Sequence, residues 1–357
     1  MASFEYNGNP SRVIFGSGTL STLAAELARL KVHTPLFLST PEQQGSILEL
    51  AKSLGAAADH VFSEATMHTP IHITEKALGV VNAFGVDSFV SLGGGSTIGL
   101  GKALSVRTGK PHICIPTTYA GSEMTPILGE TVDGLKTTRR DLAILPTTVI
   151  YDIDLTLTLP AMMSATSGVN AIAHSVEALY AANKNPIVSV LALEGIRSLA
   201  RSLPALVSLP SDIDARKDAL YGAWLCGFCL GSVDMALHHK LCHTLGGSFN
   251  LPHAETHTIV LPHALAYNAP AIPEAMRKLA EVLPDSDGDA IKGLNLLLER
   301  LGVKRALKDF GLKEEDVAKA AEIALSKPYP NPRPLEKASI QELIRRAWAG
   351  DNARADL

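Results

Sequence analysis

The chain has 357 residues and a mass of 37.8 kDa, a length for two domains at roughly 100–200 residues each. Apolar residues make up 46% and charged residues 19%, which excludes disorder, and a net charge of −4 excludes the basic footprint of a nucleic-acid binder. The four cysteines, Cys114, Cys226, Cys229 and Cys242, are too few for a disulfide scaffold and fit a reducing cytoplasm.

The N-terminus has no apolar signal core. The longest uncharged, mostly apolar stretch, Ala219–Val233, falls short of the ~20 residues that span a bilayer. A soluble, cytoplasmic protein without membrane or nucleic-acid partners is expected.

The first 155 residues alternate strand and helix. Strands are expected at Val13–Phe15, Pro35–Ser39, Val86–Leu92, His112–Ile115 and Thr148–Tyr151, with helices at Leu20–Leu30, Gly45–Leu54 and Ile73–Phe84. Short apolar runs separated by helices indicate a mostly parallel, Rossmann-like sheet covered on both faces.

From residue 156 to 357 the pattern turns all-helical. A helix is expected to start near Ser167 or Gly168. Others are expected at Pro186–Ser202, Ala215–Gly231, Ala236–Gly246, Pro273–Glu281, Asp289–Leu301, Glu314–Ala324 and Ile340–Trp348, punctuated by Pro204, Pro210, Pro252, Pro262 and Pro270. The segment Lys327–Pro334 reads as a stiff, proline-rich loop.

The stretch SLGGGSTIGLGKAL (Ser91–Leu104) follows a strand and opens a helix. Gly93, Gly94, Gly95 and Ser96 would let backbone N–H groups approach an anion, and a pyrophosphate is the natural guest. A bare tight turn is the alternative, but it needs fewer glycines. The pattern is not G-x-G-x-x-G, so an ordinary Rossmann fingerprint is absent.

The next strand is followed by IPTTYAGSEMT, whose Thr117, Thr118 and Ser122 place hydroxyls at the same sheet edge. Ser39 and Thr40 end an earlier strand. With no acid at that point to repel a 2′-phosphate, NADPH should be tolerated as well as NADH.

Twelve histidines occur. Asn170, His174 and Glu177 are spaced i, i+4, i+7 on one helix face, and His239 and His243 are i, i+4, with His253 after a Gly-Gly break. Two such sets in a helical domain suit a metal or proton transfer. Three histidines alone can hold zinc, whereas Asn170 offers only a neutral amide oxygen. His238 and Lys240 should point off the main face of their helix. The C-x-x-C of Cys226 and Cys229 reads as buried small residues.

These residues and motifs resemble the iron-containing (group III) alcohol dehydrogenase superfamily over nearly the whole chain. LSTPEQ, GGGSTIGLGKA, PTTYAGSEMTPI, GVNAIAHSVEALY and NPRP are similar to its maleylacetate reductase branch. The resemblance implies a dehydroquinate synthase-like architecture, with an α/β dinucleotide-binding domain (1–155), an all-helical catalytic domain (156–357), an active site in the interdomain cleft and a homodimer.

It places the superfamily's metal ligands, an Asp and three His, on Asn170, His174, His239 and His253, and its further active-site His on His243. The missing Asp implies that no divalent metal is required. If one is bound, His174, His239 and His253 hold it. The superfamily's acidic residue in the glycine loop falls on Gly99. A lysine that meets the cofactor falls on Lys136.

The implied reaction is reduction of the C=C of maleylacetate to give 3-oxoadipate, in catabolism of resorcinol- or hydroxyquinol-type aromatics. It needs an acid and an oxyanion stabiliser. His243 and His253 are expected to share these roles, with His174 and His239 lining the site. Tyr119, Arg333 and Asn170 are candidate partners of the dicarboxylate substrate. Competing readings are a metal-dependent alcohol or polyol dehydrogenase of the same superfamily and a non-catalytic nucleotide sensor.

Overall fold

The computed structural model describes residues 4–8, 11–132 and 135–357, the side chains of 135 and 136 excepted. The chain divides into two units, Gly8–Leu159 and Pro160–Leu357, the latter joined by the residues up to Asn7.

The α/β unit runs β1 (Arg12–Gly16), α1 (Leu23–Leu30), β2 (Pro35–Leu38), α2 (Gln44–Ser53), β3 (Val61–Phe62), α3 (Ile71–Phe84), β4 (Ser88–Gly93), α4 (Gly95–Thr108), β5 (His112–Pro116), β6 (Ile127–Val132), β7 (Leu135–Arg140) and β8 (Thr148–Asp152). Six strands form one parallel sheet in the order β1-β8-β5-β4-β2-β3. β2, β4, β5 and β8 are buried along their whole length. Side chains alternate between two cores. Phe37 and Val90 pack with Leu23 and Ile47 on one face, and Leu36, Leu38 and Phe89 pack with Leu100 and Leu104 on the other.

Sequence reading missed the antiparallel β6–β7 hairpin, in which Thr131 pairs with Lys136. Its polar β7, LKTTRR, lacks the apolar run that marks a buried strand.

The helical unit comprises α5 (Ala161–Ala178), α6 (Pro186–Ser208), α7 (Ile213–Ser232), α8 (Leu237–Phe249), α9 (His253–Asn268), α10 (Pro273–Val282), α11 (Ala290–Arg300), α12 (Asp316–Leu325) and α13 (Lys337–Ala349). α5 begins at Ala161, several residues before the expected start, directly after Pro160. Gly168 lies inside it because the Leu203 side chain of α6 occupies the place of a Cβ. α6 and α7 pack backbone to backbone at Gly195 and Gly222, where a Cβ on Gly222 would come within 3.0 Å of the Gly195 carbonyl oxygen.

Two prolines expected to break helices, Pro204 and Pro262, lie within α6 and α9. The expected Gly-Gly break is absent too. α8 continues through Gly246 and Gly247 and ends where Asn250 turns left-handed at φ 54°. α9, absent from the expected helices, then starts after Pro252. No single helix among the described residues is long and apolar enough to cross a membrane.

Candidate active site

At the carboxyl ends of β2, β4 and β5, three loops meet. Gln43 Nε2 donates to Thr117 Oγ1 at 3.2 Å, and the Thr117 N–H donates to the Gly93 carbonyl at 3.1 Å. Gly93 sits at φ 149°, and a Cβ there would lie 2.6 Å from Thr97 Oγ1 and 2.7 Å from Gln43 Oε1. A Cβ on Gly94 would meet Thr118 Cγ2 at 2.9 Å.

Helices α6, α7 and α11 are capped by the side chains of Asn185, Asp212 and Asp289. α4 has no side-chain cap at Gly94. The first-turn N–H groups of α4 lie beside Thr118, whose buried Oγ1 has no partner.

A polar knot behind this edge was not anticipated. Lys102 of α4 is 1% exposed, and its ammonium donates to Ser122 Oγ at 3.3 Å, Thr125 Oγ1 at 2.9 Å and the Ile127 carbonyl at 3.0 Å, as well as to the Ser122 carbonyl. Burial pushes Lys102 down to about 8, with Cys114 and Glu123 opposing. Glu123, also buried, accepts from the Tyr151 hydroxyl at 2.7 Å, and burial raises its pKa. The lysine thus ties α4 to the 116–125 loop.

In the helical unit, imidazoles from α5, α8 and α9 form one cluster. Ring centroids lie 5.0 Å apart for His174–His239, 4.9 Å for His238–His257, 5.0 Å for His239–His257, 4.3 Å for His253–His257 and 6.0 Å for His239–His243. The cluster is layered: His174, His238, His239 and His257 are buried, His253 is half-buried and His243 is exposed. Burial, reinforced by neighbouring imidazoles, holds His238 and His257 well below the usual histidine range, so both are neutral at pH 7.

Glu177 organises the cluster. From α5 its carboxylate accepts the backbone N–H groups of Ala236 (3.1 Å) and His238 (2.8 Å) at the start of α8, and the Nδ1 of His239 at 2.6 Å. It caps α8 in place of a side chain from the helix's own N-terminus.

Residues 10–153 match the sequence family described as iron-containing alcohol dehydrogenase, and residues 164–348 match the Fe-containing alcohol dehydrogenase family, C-terminal. The chain belongs to the iron-containing alcohol dehydrogenase family. It is 53% identical over 347 residues to the maleylacetate reductase of Sphingobium indicum, covering 97% of this chain and 98% of that one. The crystal structure of a Rhizobium maleylacetate reductase superposes with a TM-score of 0.94 at 51% identity, covering 99% of this chain and all of the other. A sulfoacetaldehyde reductase from Bifidobacterium kashiwanohense, solved with NAD+, shares the fold at 21% identity and a TM-score of 0.89, covering 98% of this chain and 100% of that one. The family makes the protein an oxidoreductase of the NAD(P)-dependent alcohol dehydrogenase type.

The iron implied by the family's description does not fit the four positions that the resemblance assigns to its ligands. The set Asn170, His174, His239 and His253 contains no anionic ligand. His174 Nδ1 and His239 Nε2 lie 2.8 Å apart in a hydrogen bond to each other, and Asn170 Nδ2 faces His174 Nε2 at 3.5 Å. Apart from these positions, Gly99 in the glycine loop has little room for a side chain, since a Cβ there would lie 2.4 Å from Thr69 Oγ1.

Of the expected site residues, Gly93, Gly94, Gly95, Ser96, Thr117 and Thr118 gather at one sheet edge. Ser122 sits on Lys102. His174, His239, His243 and His253 share one cluster. Lys136 lies on β7, but its side chain is outside the described residues. Tyr119 is fully buried.

Arg333 requires a correction. Its guanidinium donates to the backbone carbonyls of Tyr267 (2.8 Å) and Leu357 (2.5 Å) and stacks on the Tyr267 ring, so it fastens the proline-rich loop and is not set aside for a substrate carboxylate. His238 is corrected as well, since it is fully buried with Nε2 3.1 Å from His257 Nδ1. His257 escaped notice although it is i+4 from His253, the spacing that marked the other pairs. An acid also stands near Thr40. The Glu42 carboxylate accepts from the Thr40 hydroxyl, which together with its own backbone N–H holds its pKa below the usual value.

Proposed function

We propose that this enzyme reduces the C=C bond of maleylacetate with NADH or NADPH to give 3-oxoadipate, without a metal step. The α/β unit would hold the dinucleotide, its pyrophosphate on the uncapped start of α4 between Gly94 and Ser96 and its ribose near Thr40. The imidazole cluster would hold the substrate. The nicotinamide, when bound, would supply a hydride to the alkene carbon β to the ketone; the charge that would then form on the ketone oxygen needs a hydrogen-bond donor, and the α carbon needs a proton.

The observation that carries this reading is the layering of the cluster. His243 and His253 are the members that reach its open side, where one can donate to the enolate oxygen and the other can supply the proton. Neutral His238 and His257 and the Glu177-held His239 back them. High identity to maleylacetate reductases supports the substrate class. The same reading carries a cytoplasmic homodimer acting on a small dicarboxylate.

The test is oxidation of NADH and NADPH with freshly generated maleylacetate, using protein dialysed against chelator and assayed for residual metal. Turnover with less than a tenth of an equivalent of metal per subunit is expected. Turnover that appears only after zinc or iron is restored would overturn the reading and make His174, His239 and His253 ligands of a metal-dependent alcohol dehydrogenase.

A further inference from the structure

Four buried groups of the helical unit stand in a line: Glu177 Oε2 is 2.6 Å from His239 Nδ1, His239 Nε2 is 2.8 Å from His174 Nδ1, and His174 Nε2 is 3.5 Å from Asn170 Nδ2. All four are at most 4% exposed. The direction of this line follows from its ends. Glu177 receives N–H groups from Ala236, His238 and His239, so it is an acceptor at every contact.

The proton between Glu177 and His239 therefore resides on His239 Nδ1. With its Nδ1–H given to Glu177, His239 presents Nε2 2.8 Å from His174 Nδ1, placed to accept the His174 Nδ1–H. His174 Nε2 is then an acceptor too, and the group facing it must be a donor. An amide nitrogen meets that requirement and a carboxylate oxygen does not. The orientation of Asn170 follows from the same chain, with its Oδ1 left buried and unpartnered.

We propose that Glu177 is a positioning residue that sets the tautomer of both His239 and His174, and that the Asn170 N–H closes the chain in the place where a carboxylate ligand would require a cation. The inference rests on the metal-independent reading above and extends it to residues that touch neither hydride nor enolate. Glu177 acts through His239 on His174, the next imidazole in the chain. Asn170 makes a metal superfluous by supplying a hydrogen where an aspartate would leave two acceptors facing each other. Replacing Asn170 with Asp should therefore create a demand for a divalent ion that the natural chain lacks.

The decisive measurement uses the unaltered protein. Imidazole 15N spectra at pH 7.5, assigned through His174→Gln and His239→Gln, should show Nδ1 protonated and Nε2 bare in both residues. An Nε2-protonated tautomer of either residue overturns the proposal. Glu177→Gln can donate where the carboxylate only accepts, and should shift His239 to the Nε2-protonated form. Its kcat should fall about 10²–10⁴-fold, with the KM for NADH within twofold. Unchanged tautomers and kcat in that variant overturn the positioning role.

Asn170→Asp titrated with zinc chloride should bind about one equivalent per subunit and gain thermal stability, whereas the unaltered protein should do neither. Equal zinc binding by both overturns the role given to Asn170. The tautomers are read without substrate. A protein with the expected tautomers that fails to reduce maleylacetate refutes the proposed reaction alone, and one with reversed tautomers that turns it over refutes the chain alone.

Discussion

In the α/β unit, the groups set aside for a ligand are backbone N–H groups and hydroxyls at strand ends. In the helical unit they are imidazoles on three packed helices. The first arrangement can recognise charge and shape without changing its own protonation, as the proposed binding of a dinucleotide, which leaves with the same phosphates it brought, would require. The second consists of groups that can hold or release a proton near neutrality, which suits the unit where a proton must move. The supporting charges differ in the same way. Lys102 ties backbone carbonyls and hydroxyls of a loop together, and Glu177 orders N–H groups of a helix start and one imidazole. A buried cation fixes acceptors, and a buried anion fixes donors.

The comparison breaks most readily at the open side of the cluster. His243→Ala and His253→Ala should each lower kcat for maleylacetate by about 10²–10⁴-fold while leaving NADH affinity unchanged by fluorescence titration. Loss confined to one of them would refute a shared role. Lys102→Met should strand the acceptors of the 116–125 loop and cost about 2–4 kcal/mol in denaturant unfolding, a loss felt in NADH binding before proton transfer. Gly93→Ala places a Cβ 2.6 Å from Thr97 Oγ1 and should raise the KM for NADH about tenfold or more, with little change in kcat at saturation.

Acid should act on both units, and more strongly on the helical one, where burial holds down His238 and His257 as well. Burial holds His112 of β5 down to about 3 and His263 of α9 down to about 4. Each unfolded imidazole takes up a proton near pH 6.5 that the folded one refuses. Stability is therefore complete above pH 6.5 and falls by about 1.4 kcal/mol per residue per pH unit below it, down to each folded pKa. Lys102, lowered to about 8, works in another window, and its contribution rises as pH climbs from 8 towards 10.5. Unfolding free energies at pH 7, 6 and 5, with and without His112→Gln or His263→Gln, separate these terms. The smallest effect belongs to Glu42→Gln, which removes the carboxylate beside Thr40 and should improve the NADPH:NADH ratio of kcat/KM about three- to tenfold if the ribose lies there.

The sheet was legible because its strands are short apolar runs separated by helical stretches, and the glycine loop because its strand-to-helix context was visible around it. The histidine pairs were legible from i, i+4 spacing. What sequence hid was mostly tertiary. Pro204 and Pro262 looked like breaks because their tolerance depends on the helices they sit in, and Gly246 and Gly247 looked like a turn although the left-handed residue is Asn250. Glu177 was on the right helix face, but its partners come from a segment about sixty residues further on. Lys102 left a readable trace, as the lone charged residue between Asp87 and Arg107, and such a residue in an apolar stretch is buried with partners more often than it is stray. Arg333 misled because a cation near a histidine motif looks available until its carbonyl partners are seen.

The contact between Gly99 and Thr69 also constrains the order in which this protein can change. An aspartate at position 99 collides with the Thr69 hydroxyl, and Thr69 itself is held at φ 46°, where glycine is at ease. Thr69→Gly is thus a permissive step and Gly99→Asp the dependent one. Made alone, the second change forces the Thr69 side chain to move, whereas after the first that space is open, so the two positions are coupled rather than independent.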